Sequence, residues 1–259
     1  MDRKGITQTH MNRLNEKVAI ISGAGGGIGQ AISQIFAEEG AWILVTDIDA
    51  KKAESTAEGI RDSGGQAEAC RVDIGCPEEI QQAVRLASDK FGRIDVLCNN
   101  AAYLGQWHDV VNATDEEWQG CLQSTLMGTQ NFTRAVLPWM IQQKRGSVII
   151  TSSIQGVVAC PNSVSYTTVK AGLIGFAKSA ACDYGQHNIR VNAITPGPIN
   201  VGYSPKPGTP LHDYQIRNTF LGRVGLPREV GYAALFLASD ESSFVTGAVL
   251  PVDGGWTAM

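Results

Sequence analysis

The apolar positions along the chain follow two alternating patterns. Short continuous runs, such as residues 17–22, are typical of strands buried on both faces of a sheet. Longer segments, such as residues 28–39 with Ile32, Ile35 and Phe36, have the spacing of a helix with one buried face. By these criteria the chain predicts seven strands, at residues 17–22, 41–46, 66–72, 94–98, 147–151, 190–194 and 248–252.

Helices are predicted between the strands, at residues 28–39, 53–63, from Pro77 onward, 115–142, 164–184 and 230–238. Alternation of strands and helices requires right-handed crossovers, so it predicts a single-domain Rossmann fold in the α/β class. The expected sheet is parallel, seven-stranded and doubly wound, with helices on both faces. A stretch rich in proline and glycine predicts a substrate loop over about 196–215, and polar residues 1–15 predict a flexible extension before a catalytic domain at 16–259.

Composition and charge exclude several classes of function. The formal net charge of the 259 residues is −4, which offers no basic surface for nucleic acid or for an anionic membrane. The sequence has neither an apolar run long enough to span a bilayer nor a signal peptide, so we expect a cytoplasmic protein. The six cysteines form no C-x-x-C pair and no cluster with histidine, so no metal site is expected.

A glycine cluster at residues 23–29 lies between the first predicted strand and helix. The G-x-G-x-x-G pattern does not fit it, whereas G-x-x-x-G-x-G fits at Gly23, Gly27 and Gly29. Residues without a Cβ allow a tight turn and a close approach of backbone N–H groups to a pyrophosphate at the helix N-terminus. The position therefore predicts a dinucleotide site.

Asp47 ends the second predicted strand about 20 residues after the glycines. A carboxylate at this place accepts hydrogen bonds from the adenosine ribose hydroxyls and repels a 2′-phosphate. The glycine loop itself contains no lysine or arginine to receive such a phosphate. The predicted cofactor is therefore NAD rather than NADP.

Tyr166 and Lys170 are four residues apart in a predicted helix, which places them on one face. A neighbouring ammonium lowers the pKa of a phenol below its usual value of about 10, which suits a general base for an alcohol proton. Ser153 follows the fifth strand at the sheet edge where such folds bind ligands, and its hydroxyl could hydrogen-bond the substrate oxygen.

These motifs, taken together, resemble the short-chain dehydrogenase/reductase family from Lys17 to Trp256. Besides the glycine cluster and Y-x-x-x-K, the matching segments are Asp73 after strand three, residues 99–102, residues 196–197 and residues 252–255. The resemblance implies that Tyr166 is the general acid/base, that Lys170 assists it and binds the nicotinamide ribose, and that Ser153 orients the substrate. The cofactor contacts it implies, together with those from the glycine loop, are Gly23, Gly25, Gly26, Gly27, Ile28, Gly29, Asp47, Ile48, Asp73, Ile74, Asn100, Ala101, Tyr166, Lys170, Pro196, Gly197 and Ile199.

The sequence departs from the family pattern at three places. The asparagine that relatives use as a fourth catalytic residue is replaced by Thr125, whose hydroxyl is still expected to hold a proton-relaying water. The usual threonine after P-G-x-I-x is Val201, which removes a hydrogen bond to the nicotinamide amide. The last glycine of N-N-A-G is Ala102.

The segments after strands four, five and six supply polar and aromatic candidates for the substrate pocket, namely Tyr103, Gln106, Trp107, His108, Gln155, Asn162, Asn200 and Tyr203. Such a mixture favours a sugar or cyclic polyol, oxidised to a ketone or lactone. A steroid or small cyclic alcohol or ketone, a nucleotide-sugar epimerase or dehydratase, and a non-catalytic NAD-binding regulator are the alternatives. The resemblance also implies a homotetramer formed through the helices at 115–142 and 164–184.

Overall fold

The structure is a computed structural model that describes residues 12–202 and 205–258. Its strands form one sheet in the order β3-β2-β1-β4-β5-β6-β7, and all neighbouring strands are parallel. The strands are β1 (Val18–Ser22), β2 (Trp42–Asp47), β3 (Gln66–Arg71), β4 (Val96–Asn99), β5 (Gly146–Thr151), β6 (Ile189–Pro196) and β7 (Val249–Val252). The predicted fold class, a doubly wound seven-stranded Rossmann sheet, is confirmed.

Helices cover both faces of the sheet. They are α1 (Gly27–Glu38), α2 (Ala50–Asp62), α3 (Pro77–Phe91), α4 (Asp115–Gly120), α5 (Gly128–Gln143), α6 (Val164–Tyr184), α7 (Pro210–Asn218) and α8 (Pro227–Ala238). Helices α1, α2 and α8 enclose one apolar core, and α3, α5 and α6 enclose the other. Strands β1 and β5 are buried along their whole length, which explains the apolar runs at residues 18–21 and 148–150 within them.

The strand order places a crevice at one edge of the sheet. The chain leaves β1 towards β2 and β3 and then returns to pair β4 with the other side of β1. The loops that follow β1 and β4 therefore diverge to opposite faces, and ligands of open α/β sheets bind where this happens. Every segment predicted to carry the site follows the carboxyl end of a strand.

Two predicted elements differ from the structure. The predicted helix 115–142 contains a π-helical turn, Cys121–Met127, between α4 and α5. Helix α7 overlaps the predicted loop 196–215, because Pro210 occupies its first turn and the Thr209 hydroxyl accepts a hydrogen bond from the N–H of His212. None of the α7 residues is buried, so the helix gives no apolar periodicity in the sequence.

The predicted N-terminal extension, 1–15, lies outside the described residues as far as position 11. Its last residues are packed against the domain. Leu14 is fully buried in the core of α1, α2 and α8, and the Arg13 guanidinium contacts the Glu39 carboxylate at 2.9 Å. The predicted boundary at residue 16 is therefore too late. Within 12–202 and 205–258, no helix has the length and apolar character needed to cross a membrane.

Candidate active site

The glycine loop between β1 and α1 is packed on its inner side and open on its outer side. Gly23 has a φ of +62°, and a Cβ there would lie 2.8 Å from the Cα of Ala101. A Cβ at Gly29 would lie 2.2 Å from the carbonyl oxygen of Gly23. Gly26 has no atom within 4 Å of its Cβ position, and no side chain caps the first N–H groups of α1. The first N–H groups of α1 therefore have no side-chain acceptor, and the loop in front of the helix has room at Gly26, as anion binding requires.

Ser22 and Asn100 tie the glycine loop to the end of β4. The Ser22 hydroxyl accepts hydrogen bonds from the N–H of Asn100 at 3.0 Å and of Ala101 at 3.1 Å. The Asn100 amide donates to the carbonyl oxygens of Ser22 and Gly23 at 3.2 and 3.1 Å. Sequence analysis missed Ser22, although a hydroxyl at the end of a buried strand and directly before the glycines was a usable signal. Both side chains hold the loop in place.

Asp47 fastens the other side of the glycine loop. Its carboxylate accepts hydrogen bonds from the N–H of Gly25 at 2.9 Å and of Asp49 at 3.0 Å. A Cβ at Gly25 would lie 2.6 Å from the Cβ of Lys52 on α2, so this lysine stands beside the loop. The sequence argument that no cation lies within the loop is correct for the loop itself, but the fold brings Lys52 to it from elsewhere.

Ile48, Asp73 and Ile74 follow β2 and β3, on the side of the crevice next to Asp47. Ile48 is 61% exposed, and the Asp73 carboxylate accepts a hydrogen bond from the N–H of Gly75 at 2.8 Å. The N–H of Asp73 donates to Glu79 at 2.7 Å, so the turn after β3 is fixed at both ends. These residues are at the edge where the adenosine half of a dinucleotide would lie.

Tyr166 and Lys170 lie one turn apart on α6, and the Nζ of Lys170 is 5.5 Å from the centroid of the Tyr166 ring. Lys170 is 2% exposed, and its Nζ donates to the carbonyl oxygen of Thr151 at 2.7 Å. Burial lowers the pKa of Lys170 from 10.5 to about 7, against a smaller opposing effect of Cys121. Lys170 therefore loses its charge as the pH rises through about 7, and the predicted influence of that charge on the phenol weakens with it.

Ser153 is buried at the end of β5 and begins a short 3-10 turn, Ile154–Gly156. Its Oγ accepts a hydrogen bond from the N–H of Gln155 at 3.1 Å, which leaves the hydroxyl proton available to a substrate oxygen. The neighbouring Ser152 donates to the carbonyl oxygen of Lys170 at 2.8 Å and joins β5 to α6. A hydroxyl donor, a phenol and a buried amine are thus carried by two adjoining elements.

Thr125 lies in the π-helical turn and is fully buried. Its hydroxyl accepts a hydrogen bond from the N–H of Tyr103 at 3.0 Å and donates to the carbonyl oxygen of the same residue at 3.4 Å. The single hydroxyl proton is therefore directed at Tyr103, and one lone pair remains. Through these two hydrogen bonds, Thr125 holds the start of the loop that follows β4 in place.

The segment after β6 covers the glycine loop. A Cβ at Gly197 would lie 2.8 Å from the Cα of Asp253, so the turn and the end of β7 touch. Ile199 forms an isolated parallel bridge with Gly225. A Cβ at Gly27 would lie 3.2 Å from a methyl group of Val201. Pro196, Gly197 and Ile199 are therefore at the crevice, with Val201 above the glycines.

Of the predicted substrate residues, Trp107 and Gln155 contact side chains of α6. The Trp107 ring lies 5.9 Å from the Tyr166 ring, centroid to centroid, and Trp107 is 53% exposed. The Gln155 side chain accepts a hydrogen bond from the Thr167 hydroxyl at 3.5 Å. The others are the exposed Gln106, Asn162 and Asn200, the half-buried His108, the exposed Tyr103, and Tyr203, which lies outside the described residues. Trp107 is thus the predicted residue that the fold brings against the phenol.

Glu117 on α4 is a site residue that sequence analysis missed. It is 4% exposed, and its carboxylate accepts a hydrogen bond from the Ser165 hydroxyl and contacts the His108 Nδ1 at 2.8 Å. A glutamate directly before Trp118 gives no sign of burial, because α4 alone is too short for an apolar period. Among the described residues, no three His, Cys, Asp or Glu side chains are grouped as a metal ion would require.

Residues 23–257 match the profile of a protein family described as enoyl-(acyl carrier protein) reductase. The chain is also 38% identical to a 3-oxoacyl-(acyl-carrier-protein) reductase of Thermotoga maritima over 245 residues, which are 94% of this chain and 98% of that relative.

Two solved structures have nearly the same fold over the whole domain. A 7α-hydroxysteroid dehydrogenase complexed with NADH and 7-oxo glycochenodeoxycholic acid has 34% identity and a TM-score of 0.90, covering 94% of this chain and 95% of its own. A gluconate 5-dehydrogenase from Burkholderia cenocepacia, in complex with NADP and tartrate, has 30% identity and a TM-score of 0.91, covering 96% and 98%.

Proposed function

The chain belongs to the short-chain dehydrogenase/reductase family of nicotinamide-dependent oxidoreductases that act on CH–OH or keto groups, and from that premise we propose that it is an NAD-dependent dehydrogenase of a sugar or cyclic polyol. The observation that carries the proposal is the arrangement of Tyr166 and Lys170 on α6 beside Ser153. A protein that only sensed NAD would need neither the phenol nor the buried amine.

The crevice fits a nicotinamide dinucleotide. Side chains at Gly23 or Gly29 would collide with the protein itself, whereas the Cβ direction of Gly26 is open in front of the uncapped N–H groups of α1. This is the cradle a pyrophosphate needs. Asp47, Ile48 and Asp73 would hold the adenosine half, and Ile199, Tyr166 and Lys170 would hold the nicotinamide half. When bound, the nicotinamide supplies or accepts the hydride.

The protein residues would move the proton. In the oxidising direction, the phenolate of Tyr166 takes the proton of the substrate hydroxyl, and in the reducing direction the phenol returns it. The Ser153 hydroxyl donates a hydrogen bond to the substrate oxygen. Lys170 favours the phenolate while it is charged, and its low pKa allows it to exchange protons near neutrality.

The choice of NAD rests on Asp47. Its carboxylate is fixed by the N–H groups of Gly25 and Asp49 at the end of β2, where a 2′-phosphate would meet a negative charge. Lys52 is the feature that works against this choice, because its long side chain starts beside Gly25. We expect the fixed carboxylate to outweigh a lysine whose side chain is 68% exposed.

The substrate class rests on Trp107. An exposed indole beside the phenol offers a flat apolar wall to the C–H face of a ring, and polar side chains of the surrounding loops suit hydroxyl groups. A steroid or small cyclic ketone would use the same wall. The similarity to a 3-oxoacyl reductase makes a 3-oxoacyl thioester the candidate of another chemical class.

A homotetramer remains a prediction. It is supported by the exposed apolar side chains of Leu122 and Met127 on the π-helical turn, which lies within the segment predicted to form the interface. Light scattering after gel filtration would give the mass directly. A monomer at micromolar concentration would contradict the prediction.

The proposal is tested by a substrate screen with NAD and NADP, followed by absorbance of the reduced nicotinamide. The screen holds sugars, cyclic polyols, hydroxysteroids and a 3-oxoacyl thioester, the last with reduced cofactor. Sustained turnover of NAD with a sugar or cyclic polyol is expected, and Tyr166→Phe should lower kcat about a thousandfold or more, with a far smaller change in NADH affinity. Equal turnover by Tyr166→Phe would contradict the mechanism, and preference for a thioester would contradict the substrate class.

A further inference from the structure

The loop after β4, residues 103–112, is fastened at its beginning by the π-helical turn. The Thr125 hydroxyl holds both the N–H and the carbonyl oxygen of Tyr103, at 3.0 and 3.4 Å. Because Thr125 is fully buried, this attachment is shielded from competing water. The first residue of the loop therefore has a fixed position relative to the helix.

The same loop is held at a second point, His108, which lies five residues after Tyr103 and contacts Glu117 on α4. The Glu117 carboxylate contacts the His108 Nδ1 at 2.8 Å and accepts a hydrogen bond from the Ser165 hydroxyl. The hydrogen bond from Ser165, and after it the contact with His108, holds the pKa of Glu117 below its usual value. The carboxylate is therefore ionised at neutral pH. One charged group thus joins the loop to α6.

The two aromatic residues of the site are the chain neighbours of these attachment points. Ser165 directly precedes Tyr166 in α6, and His108 directly follows Trp107 in the loop. The centroids of the two rings are 5.9 Å apart, and their planes are tilted by 41°. Because the Glu117 carboxylate contacts the chain neighbour of each ring, it fixes the distance between the indole and the phenol.

We propose that Glu117 and His108 are positioning residues that hold Trp107 as the wall of the substrate site beside Tyr166, and that this wall selects substrates whose reacting carbon belongs to a ring. The selectivity part rests on the proposed function. A ring presents one flat C–H face to an indole without loss of conformational freedom, whereas an open chain of equal size must be ordered first. Without the attachment, the exposed indole would leave this position.

The positioning is tested without any substrate by fluorine NMR of protein labelled with 5-fluorotryptophan. The sequence has five tryptophans, and Trp107→Phe identifies the resonance of Trp107. We expect that resonance to shift or broaden in His108→Ala and Glu117→Gln. It should stay in place in His108→Asn, whose amide nitrogen can replace Nδ1, and in Glu116→Gln, which alters the exposed neighbour on α4. An unmoved resonance in both His108→Ala and Glu117→Gln would overturn the proposal.

The selectivity is tested by kinetics on a matched pair of substrates, one cyclic and one open-chain alcohol. His108→Ala and Trp107→Ala should raise KM for the cyclic substrate about tenfold and KM for the open-chain substrate by a much smaller factor, with kcat changed less than about twofold. His108→Asn should restore the KM. Equal effects on both substrates, or a fall in kcat alone, would overturn the selective wall. Failure of the proposed function would show separately, as absence of turnover by the unaltered protein, and would leave the NMR result valid.

Discussion

The two halves of the crevice are built differently. On the side proposed for the cofactor, the glycine loop is bonded to its neighbours by Ser22, Asp47 and Asn100, and Gly23, Gly25 and Gly29 pack without space for a Cβ. On the substrate side, α7 has no buried residue, and the loop 103–112 is held by Thr125 and Glu117 with Trp107 exposed between them. The glycine loop is held by many contacts, whereas the loop 103–112 depends on a few.

The difference shows where a sequence of this kind can change. A ligand common to many reactions is served by backbone N–H groups in a fixed loop, and substitutions there disturb the core. A substrate that differs from one protein to another is bound by side chains on loops, where an amino-acid substitution costs little stability. Substitutions in the glycine loop should therefore cost more stability than substitutions on α7.

The largest effect is expected at Gly29. A Cβ there would lie 2.2 Å from the backbone oxygen of Gly23, so Gly29→Ala should lower the free energy of unfolding by about 3 kcal/mol and weaken NADH binding. Gly26→Ala is the matched control, because its φ of −177° and open surroundings suit alanine. It should cost about 0.5 kcal/mol and still weaken NADH binding.

Urea unfolding and NADH fluorescence titration measure the two effects. Equal stability of the Gly26→Ala and Gly29→Ala proteins would contradict the packed inner side of the loop. Unchanged NADH affinity in Gly26→Ala would contradict the location of the pyrophosphate.

The next effect concerns pH and Lys170. The folded-state pKa of about 7 lies below the unfolded value of 10.5, so between these values the unfolded chain binds more protons and stability rises with pH. Below about pH 7 both states hold the proton, and this contribution to the slope vanishes. From pH 7.5 to 9 the gain due to Lys170 should be about 2 kcal/mol.

Lys170→Met should remove this part of the slope, because methionine keeps the length without a titrating group. Lys178→Met, at an exposed position of the same helix, is the control and should leave the slope intact. Urea unfolding at a series of pH values decides the matter. Parallel curves for Lys170→Met and the unaltered protein would show that Lys170 titrates as it does in water.

A smaller effect is expected at Asp47. Asp47→Ala removes the carboxylate that would repel a 2′-phosphate, so the ratio of NADPH affinity to NADH affinity should rise about tenfold. Lys52→Ala should move the ratio the other way by a smaller factor, since its side chain is mostly exposed. Titration with both reduced cofactors measures the ratios. An unchanged ratio in Asp47→Ala would place the ribose elsewhere.

The smallest effect is expected at α7. The Tyr214 ring meets the Trp256 ring edge-on, with centroids 5.6 Å apart, and no residue of α7 is buried. Tyr214→Ala should therefore lower the free energy of unfolding by less than about 1 kcal/mol. Amide hydrogen exchange should become faster in α7 and stay unchanged in α8. Protection of α7 equal to that of α8 in the unaltered protein would contradict the division of the crevice into two halves.

The positions of the strands along the chain and the place of the glycine loop were predictable because each depends on a local signal. An uninterrupted apolar run marks a buried strand, and the glycines 23–29 mark a tight turn wherever they occur. The proximity of Tyr166 and Lys170 was predictable for the same reason, since they are one helical turn apart.

The remaining features depend on contacts between distant segments. Lys52 reaches the glycine loop from α2, and Glu117 meets Ser165 across 48 positions of the chain. No local pattern records such contacts. Helix α7 was missed for the opposite reason, because a helix without a buried face leaves no apolar period to detect.

The π-helical turn has a consequence for insertions and deletions. In a regular α-helix, which rotates about 100° per residue, positions eight apart such as Glu117 and Thr125 would point about 80° away from each other. Hydrogen bonds from residue i to i+5 in Cys121–Met127 reduce the rotation per residue and bring the two side chains towards a common direction. Removing a single residue between Gly120 and Thr125 would restore regular winding and leave the two positions seven apart, about 20° from a common direction. The π-helical turn is therefore equivalent to a one-residue insertion that the helix absorbs without rotating Glu117 away from Thr125.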